Sequence, residues 1–243
     1  MKLIVNADDF GYSNGVNYGI IDAHKCGALY STTLMVTMPG VPHAVSLMDQ
    51  NPNLAVGLHI NTAFGKPITG GKTLVGKNGV FIKPNAIPER HAYNYGEVEA
   101  EVYAQYECFV KLTGKDPSHI DSHLDTHEKI TQVRNACCLL AKEKRIPLRN
   151  VDMEHSKHVT FIQHRSFGAN PGLEYFLEHF NEIQKEEFVE IMAHPAYIDN
   201  YLLQNSSYNL QRTLELEFLL SERFLTTLKQ NGVTVTSYYD AKR

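Results

Sequence analysis

Two adjacent carboxylates, Asp8 and Asp9, follow a short apolar run near the start of the chain. The run is Leu3–Val5, and Phe10 and Gly11 come directly after the pair. Adjacent carboxylates repel each other and aspartate is a poor strand former, so a bound cation would stabilise this arrangement. A solvated turn at an ordinary strand end is the alternative, and this stretch alone does not decide between them.

Other ionisable side chains occupy similar positions further along the chain. His59, His123, Arg149 and His194 each lie at or just past the C-terminal end of a predicted strand. In barrels and open parallel sheets these strand ends meet at one edge, where active sites form. A single buried histidine is more often a core residue, but ionisable groups at several strand ends indicate a functional site.

These residue types suit a metal centre that catalyses hydrolysis. One carboxylate and two imidazoles give three ligands to a divalent cation and leave positions open for water and substrate. Such a cation polarises a carbonyl group and acidifies its bound water. A second carboxylate can then act as general base, and a histidine across the site as general acid. The pattern predicts hydrolysis of an acyl or phosphoryl compound without distinguishing the two.

Alternating strand and helix patterns predict the fold that positions these groups. Predicted strands fall at 2–7, 32–36, 54–60, 117–121, 146–151, 188–193 and 233–236, and predicted helices at 14–26, 42–50, 95–113, 128–144, 173–184 and 209–229. This order predicts an α/β fold with a mostly parallel sheet. About seven β/α units favour a barrel, complete or incomplete, with a doubly wound open sheet as the alternative. Neither GxGxxG after the first strand nor GxxxxGK[ST] occurs, which argues against dinucleotide and nucleoside-triphosphate chemistry.

Residues 62–93 differ from the rest because glycine and proline punctuate them and apolar residues are few. Loops of this length are usually functional, so we expect an excursion over the active-site mouth or towards a partner subunit; a passive surface insertion is the alternative. Asn78-Gly79 suits a tight hairpin turn. With 243 residues and 43% hydrophobic content, we expect one domain spanning 1–243.

Composition excludes several classes of partner. The formal net charge is −4 and no basic run occurs, so nucleic acid and anionic membranes are not expected as partners. Apolar runs fall short of the roughly 18 residues that span a bilayer. The apolar run at the N-terminus is too short for a signal peptide, so the expected location is cytoplasmic. The four cysteines contain no CxxC pair and are expected to be thiols buried in the fold.

Four motifs carry a resemblance to a known family. They are Asn-Ala-Asp-Asp-Phe-Gly at 6–11, Gly-Leu-His at 57–59, Ile-Asp-Ser-His at 120–123 and His-Pro at 194–195. They resemble the YdjC/ChbG family of carbohydrate deacetylases, and the match extends over essentially the whole chain. The resemblance implies a deformed (β/α) barrel, a divalent cation (Mg or Zn), and removal of acetyl groups from N-acetylated sugars such as chitooligosaccharides.

The same resemblance implies roles for individual residues. It makes Asp9, His59 and His123 the metal ligands, Asp8 the base that activates water, and His194 the acid that protonates the leaving amine.

Further residues are expected to support this site. Asp121 and His127 are candidates to orient the metal-bound imidazoles, since such rings usually need a partner. Tyr12 and Arg149 are candidates for substrate contact. Many family members have a histidine where this chain has Asp125, so substrate specificity could differ here.

Two other functions stay open at the level of sequence. A metal-dependent phosphoesterase on a similar barrel would use related residues, often around two metals. A sugar-binding protein without catalytic activity is the second alternative, although both proposed proton-transfer groups are present. The expected partner is a small carbohydrate substrate, and the long segment 62–93 makes a homodimer plausible.

Overall fold

A curled parallel sheet forms the centre of the protein in a computed structural model, which describes residues 1–87, 92–162 and 176–242. Its seven strands are β1 Lys2–Phe10, β2 Ser31–Leu34, β3 Ala55–Ile60, β4 Ile120–Ser122, β5 Thr160–Ile162, β6 Phe188–Ala193 and β7 Thr234–Thr236. Their order is β4-β3-β2-β1-β6-β5, with β7 also paired to β1. All pairings between these strands are parallel. The predicted α/β fold, an incomplete barrel with a mostly parallel sheet, is confirmed.

Helices cover this sheet. Within the described residues they are α1 Asn14–Lys25, α2 Val41–Gln50, α3 Tyr95–Thr113, α4 Thr126–Lys129, α5 Thr131–Lys144, α6 Phe180–Ile183, α7 Asn200–Asn205, α8 Leu210–Leu220 and α9 Glu222–Gln230. Capping explains the predicted bounds of α3, because the Asn94 side chain accepts a hydrogen bond from the Glu97 N–H and Gly114 ends the helix at φ +69°. No helix of the described ranges is both long enough and apolar enough to cross a membrane.

Several predicted elements differ from the structure. The predicted helix 128–144 is interrupted at Ile130, where the backbone is extended, so that α4 and α5 are separate helices. The predicted helix 209–229 is two helices, because Ser221 has extended backbone and its side chain caps α9 by accepting from Phe224 N–H. The predicted strand 146–151 is not a strand; Leu148 makes isolated bridges to Ile120 and Val151. The predicted helix 173–184 lies partly outside the described residues. Within the part that is described, Phe180–Ile183 forms a helix.

The glycine-rich segment 62–93 is anchored to α3 over its described part. The Glu101 carboxylate accepts hydrogen bonds from the N–H groups of Ile68 and Thr69. Leu74 and Phe81 are buried in the main core. The predicted turn at Asn78-Gly79 is present, since an antiparallel bridge joins Val75 to Phe81 around it. Residues 88–91 of the segment lie outside the described residues.

The central position of β1 explains why its aspartates are buried. β1 pairs with β2, β6 and β7, and every residue from Leu3 to Phe10 is buried. The neighbouring strands bring further polar groups to the same edge: in the register of β3 and β4, His59 lies opposite Asp121. The strand order therefore gathers the sequence-predicted residues.

We predict that Gly57→Ala destabilises the fold by about 1–3 kcal/mol through overpacking. A Cβ at Gly57 would lie 2.6 Å from His119 Nδ1 and 2.7 Å from the His119 carbonyl oxygen, so β3 and the segment leading into β4 could not keep their separation. Urea unfolding measures the change.

Gly96→Ala is the matched control for this test. Gly96 is exposed in α3, and its added Cβ would meet only Asn94 Oδ1, at 3.3 Å. Alanine also favours the helix, so this variant should be at least as stable as the parent. Equal destabilisation of both variants would contradict the explanation from packing at Gly57.

Candidate active site

Three sequence-predicted ligands meet at the carboxyl edge of the sheet. Asp9 Oδ1 lies 2.9 Å from His123 Nδ1 and 3.3 Å from His59 Nε2. One ligand atom from each residue falls within 4.8 Å of the other two. Asp9 and His59 are fully buried, and the His123 side chain is 12% exposed. One carboxylate oxygen and two imidazole nitrogens fit a divalent cation and leave ligand positions open.

The carboxylate of Asp9 is divided between two sets of partners. While Oδ1 faces the two imidazoles, Oδ2 accepts a hydrogen bond from Arg212 Nη2 at 2.6 Å. Burial on its own would raise the pKa of Asp9, but the positive charges of His123 and Arg212 outweigh it and hold the pKa well below its ordinary value. Asp9 is therefore an ionised carboxylate with one oxygen already engaged.

His59 is oriented by Asp121 as the sequence predicted. Its Nδ1 lies 2.6 Å from Asp121 Oδ1, so Nδ1 donates to Asp121 and Nε2 is the ring nitrogen that faces Asp9. Burial acts to lower the pKa of His59, but the carboxylates of Asp121, Asp9 and Asp8 raise it to about 10. Thr33 Oγ1 donates to the other Asp121 oxygen at 3.0 Å.

Arg149 binds Asp8 instead of facing a substrate. Its Nη1 and Nη2 donate to the two oxygens of Asp8 at 2.8 and 2.7 Å. The same guanidinium lies 2.9 Å from Asp121 Oδ2 and 2.8 Å from Glu190 Oε1. The side chain is fully buried and turned to carboxylates, whereas the sequence had suggested a contact with substrate. Its three carboxylate partners explain why the polypeptide tolerates a buried guanidinium.

A buried polar cluster lies behind Arg149. Glu190 accepts a hydrogen bond from the hydroxyl of Tyr238. Burial raises the pKa of Glu190 to about 7, although Arg149 and Tyr238 oppose the rise. The Tyr238 ring stacks on His119 with centroids 4.0 Å apart. This cluster supports the carboxylate network from the side away from Asp9.

His194 is held through its backbone by α8. Its N–H donates to Glu215, which also accepts from the Tyr208 hydroxyl. The His194 ring meets the Tyr208 ring edge-on, with centroids 5.6 Å apart, and is 22% exposed. Because Arg212 and Glu215 share one face of α8, this helix connects the region of His194 to Asp9.

His127, expected to orient a ligand imidazole, and Tyr12, expected to contact substrate, have other partners in the structure. His127 lies 2.6 Å from Ser122 Oγ and 3.2 Å from the Arg149 carbonyl oxygen, so these contacts fix the turn that follows β4 and leave the ligand imidazoles to other partners. The side chain of Tyr12 is buried, and its ring packs on the Phe64 ring with centroids 5.6 Å apart.

Asp125 adjoins the site on a turn of unusual backbone. Leu124 and Asp125 have φ of +55° and +54°, directly after His123. Lys129 Nζ donates to the Leu124 carbonyl at 2.8 Å and to Asp125 Oδ2 at 3.2 Å. Asp125, where the resemblance led us to expect a histidine in many relatives, is thus engaged by a lysine of α4.

Comparison with known proteins identifies the family. The family model described as YdjC-like protein matches residues 2–230. This chain belongs to that family. Carbohydrate deacetylase 2 of Listeria innocua is 45% identical and aligns with 99% of this chain and 98% of its own length. A carbohydrate deacetylase of Vibrio cholerae is 38% identical over 98% of this chain and 95% of its own length. The YdjC-like chain is a deacetylase enzyme, as the sequence predicted.

Solved structures agree at the level of fold. A crystal structure from Enterococcus faecalis, described as a candidate cellobiose-phosphate cleavage protein, superposes with a TM-score of 0.87, 31% identity and coverage of 100% of this chain and 99% of that one. A family 4 acetyl xylan esterase from Clostridium thermocellum in complex with cobalt has a TM-score of 0.52 and 11% identity, covering 99% and 89% of the two chains. The second likeness shows a shared fold alone.

Sequence reasoning missed several residues of this YdjC-like site. Asn6 and Glu190 are polar residues inside otherwise apolar buried strands, a signal that could have found them. Asn6 Nδ2 donates to Asp8 Oδ1 at 2.8 Å. Arg212 and Glu215 lie in a helix of ordinary amphipathic pattern, and nothing in their spacing marks them as partners of Asp9 and His194.

We predict that cation binding at this site releases a proton from His59. Below pH 10 the cation-free ring carries a proton, because its pKa is raised to about 10, whereas an imidazole that binds a metal must be neutral. Each unit of pH decrease should therefore weaken cation affinity about tenfold. Calorimetric titration in buffers of different ionisation enthalpy measures the released proton.

Asp121→Asn provides the comparison for this measurement. It removes the carboxylate that raises the pKa of His59 most, so the proton should leave at lower pH and the pH dependence should flatten. Heats that do not vary with the buffer would contradict the prediction.

Proposed function

We propose that this enzyme is a metal-dependent carbohydrate deacetylase that removes acetyl groups from N-acetylated, chitooligosaccharide-like sugars and releases acetate. The observation that carries the proposal is the buried group of Asp9, His59 and His123 beside a second carboxylate, Asp8, held by Arg149. Full-length relatives named carbohydrate deacetylase support the substrate class. We propose that the whole chain, 1–243, acts as one deacetylase domain.

The proposed cofactor is a divalent cation, magnesium or zinc, and the donor set of one carboxylate and two imidazoles supports this proposal. Asp9 Oδ1, His59 Nε2 and His123 Nδ1 would hold it, since Asp121 already engages His59 Nδ1. When bound, the cation would polarise the acetyl carbonyl and acidify a water molecule.

Asp8 is the proposed general base. A carboxylate has about four lone-pair positions, of which Arg149 uses two and Asn6 Nδ2 one. One position is left to accept a proton from the attacking water. The bidentate pairing with Arg149 fixes the orientation of the Asp8 carboxylate, and this also fixes the direction of its unused lone pair.

His194 is the proposed general acid. As the water oxygen bonds to the acetyl carbon, the carbon–nitrogen bond breaks and the leaving amine takes a proton from the imidazole. Glu215 holds the His194 backbone, and the partly exposed ring can reach a bound sugar. The products are acetate and the free amino sugar.

A second cation site, as a two-metal phosphoesterase would need, is disfavoured. Asp8, His59 and Asp121 also form a group with ligand spacing. The Arg149 guanidinium lies within 2.7 Å of Asp8 Oδ1 and 2.9 Å of Asp121 Oδ2. A positive charge therefore stands already where a second cation would bind. Cytoplasmic location and a homodimer stay predictions.

We predict acetate release from N-acetylated sugars when magnesium or zinc is supplied. A screen over N-acetylated mono- and oligosaccharides, with enzymatic detection of acetate, tests this directly. Phosphate esters in parallel reactions test the phosphoesterase alternative. Sugar binding by calorimetry without any turnover, unaffected by chelators, would instead favour a sugar-binding protein without activity.

We predict separate effects for the two adjacent aspartates. Asp9→Asn should lose cation binding, because it removes the only anionic ligand of the proposed set. Asp8→Asn should keep the cation but lower turnover about 10²–10⁴-fold, as expected for loss of a general base. Calorimetry with zinc and the acetate assay measure the two quantities.

Asp49→Asn is the matched control, since Asp49 is exposed on α2. It should leave both quantities unchanged. Loss of cation binding in Asp8→Asn, or its retention in Asp9→Asn, would contradict the roles proposed for these two residues. If both outcomes occur, Asp8 is the ligand.

A further inference from the structure

We infer that Arg212 is a positioning residue that presents a single oxygen of Asp9 to the cation and thereby sets which cations the site prefers. This inference rests on the proposed metal centre and names a residue that the proposed mechanism does not use. It follows from how the Arg212 guanidinium is held, how the Asp9 carboxylate is divided, and how divalent cations differ in their demands on carboxylates.

The Arg212 guanidinium is fixed from several directions. Nη2 donates to Asp9 Oδ2 at 2.6 Å, and Nε donates to the Tyr208 carbonyl at 2.9 Å. The rings of Tyr12 and Tyr208 flank its central carbon at 5.7 and 5.8 Å. The residue is 3% exposed. A buried side chain held at two nitrogens and close to two rings has little freedom to release the carboxylate.

The consequence for Asp9 is that its two oxygens are not equivalent. Oδ1 lies within 3.3 Å of both ligand imidazoles, whereas Oδ2 is turned to Arg212. A cation between the three ligands therefore meets one carboxylate oxygen, and bidentate binding would have to share Oδ2 with a short charge-assisted hydrogen bond from a guanidinium in a buried site.

Cations respond differently to this restriction. Zinc is satisfied by four ligands and accepts imidazole nitrogen and single carboxylate oxygens readily. Calcium needs six to eight oxygen ligands and commonly takes carboxylates through both oxygens. Holding Oδ2 away from the cation should therefore weaken calcium binding more than zinc binding.

The charge of Arg212 has a separate effect that must be removed from the test. A nearby guanidinium repels every divalent cation, and to first order it repels zinc and calcium alike because both carry two charges. The ratio of the calcium and zinc dissociation constants cancels this repulsion. That ratio reports the geometry of the carboxylate.

The experiment measures zinc and calcium dissociation constants by calorimetry for the wild type, Arg212→Met and Arg212→Lys. Methionine keeps much of the side-chain volume but frees Oδ2, so the ratio of calcium to zinc dissociation constants should fall about tenfold, the lower end of the usual effect of residues behind metal ligands. Lysine can still donate to Oδ2, so its ratio should stay close to that of the wild type.

Arg223→Met is the matched control. Arg223 is exposed on α9 and lies over the Phe218 ring at 6.0 Å, so it shares the aromatic contact without touching Asp9. Its ratio should equal that of the wild type. Circular dichroism shows whether each variant folds, and Arg212→Gln replaces the methionine variant if that one does not.

The outcomes separate this inference from the proposed function. A ratio unchanged in Arg212→Met, or one that falls equally in Arg212→Lys or Arg223→Met, overturns the role of Arg212 while the metal centre stands. A wild type that binds neither cation overturns the metal centre and this inference together.

Discussion

The structure depends on one buried guanidinium. Arg149 binds Asp8 of β1, Asp121 of β4 and Glu190 of β6, and these carboxylates would be costly in a sheet core without it. Its partners come from strands on both sides of β1, so a single side chain stabilises the centre of the sheet and the place where chemistry is proposed. The turn that carries Arg149 is not itself part of the sheet, yet its contacts decide whether the sheet can hold three acidic residues.

A second arginine resolves the repulsion between the adjacent aspartates. Asp8 faces Arg149, whereas Asp9, at a positive φ of +69°, turns its carboxylate to Arg212 and the imidazoles. Each carboxylate therefore has its own cationic partner before any metal binds. The dipeptide can thus supply two groups with different surroundings, one held by hydrogen bonds and one available as a ligand. Two aspartates can act one as a base and the other as a metal ligand only if their environments differ, as those of Asp8 and Asp9 do.

Sequence alone predicted the parts of the fold that depend on local chemistry. The bounds of α3 follow from Asn94 and Gly114. That Asp9, His59 and His123 meet at one edge follows from polar residues at the ends of apolar strands, whereas their roles as ligands were implied by the resemblance to the family. The break at Ser221 was missed because serine is unremarkable within a helical pattern, and only its extended backbone shows the cap. Arg149 was misjudged because a charged residue near a strand end is usually exposed. Arg212 was missed because its partner lies 203 residues away, where periodicity carries no information.

That separation has a consequence for folding during synthesis. β1 is made first, yet β7 pairs with its beginning and Arg212 pairs with its end. Contacts between such distant residues raise the contact order and delay the cooperative step. While the chain emerges from the ribosome, Asp9 therefore lacks its Arg212 partner until α8 has left the exit tunnel. A truncated chain that lacks α8 would keep the catalytic motif in its sequence but would be exposed to aggregation through an unfinished parallel sheet.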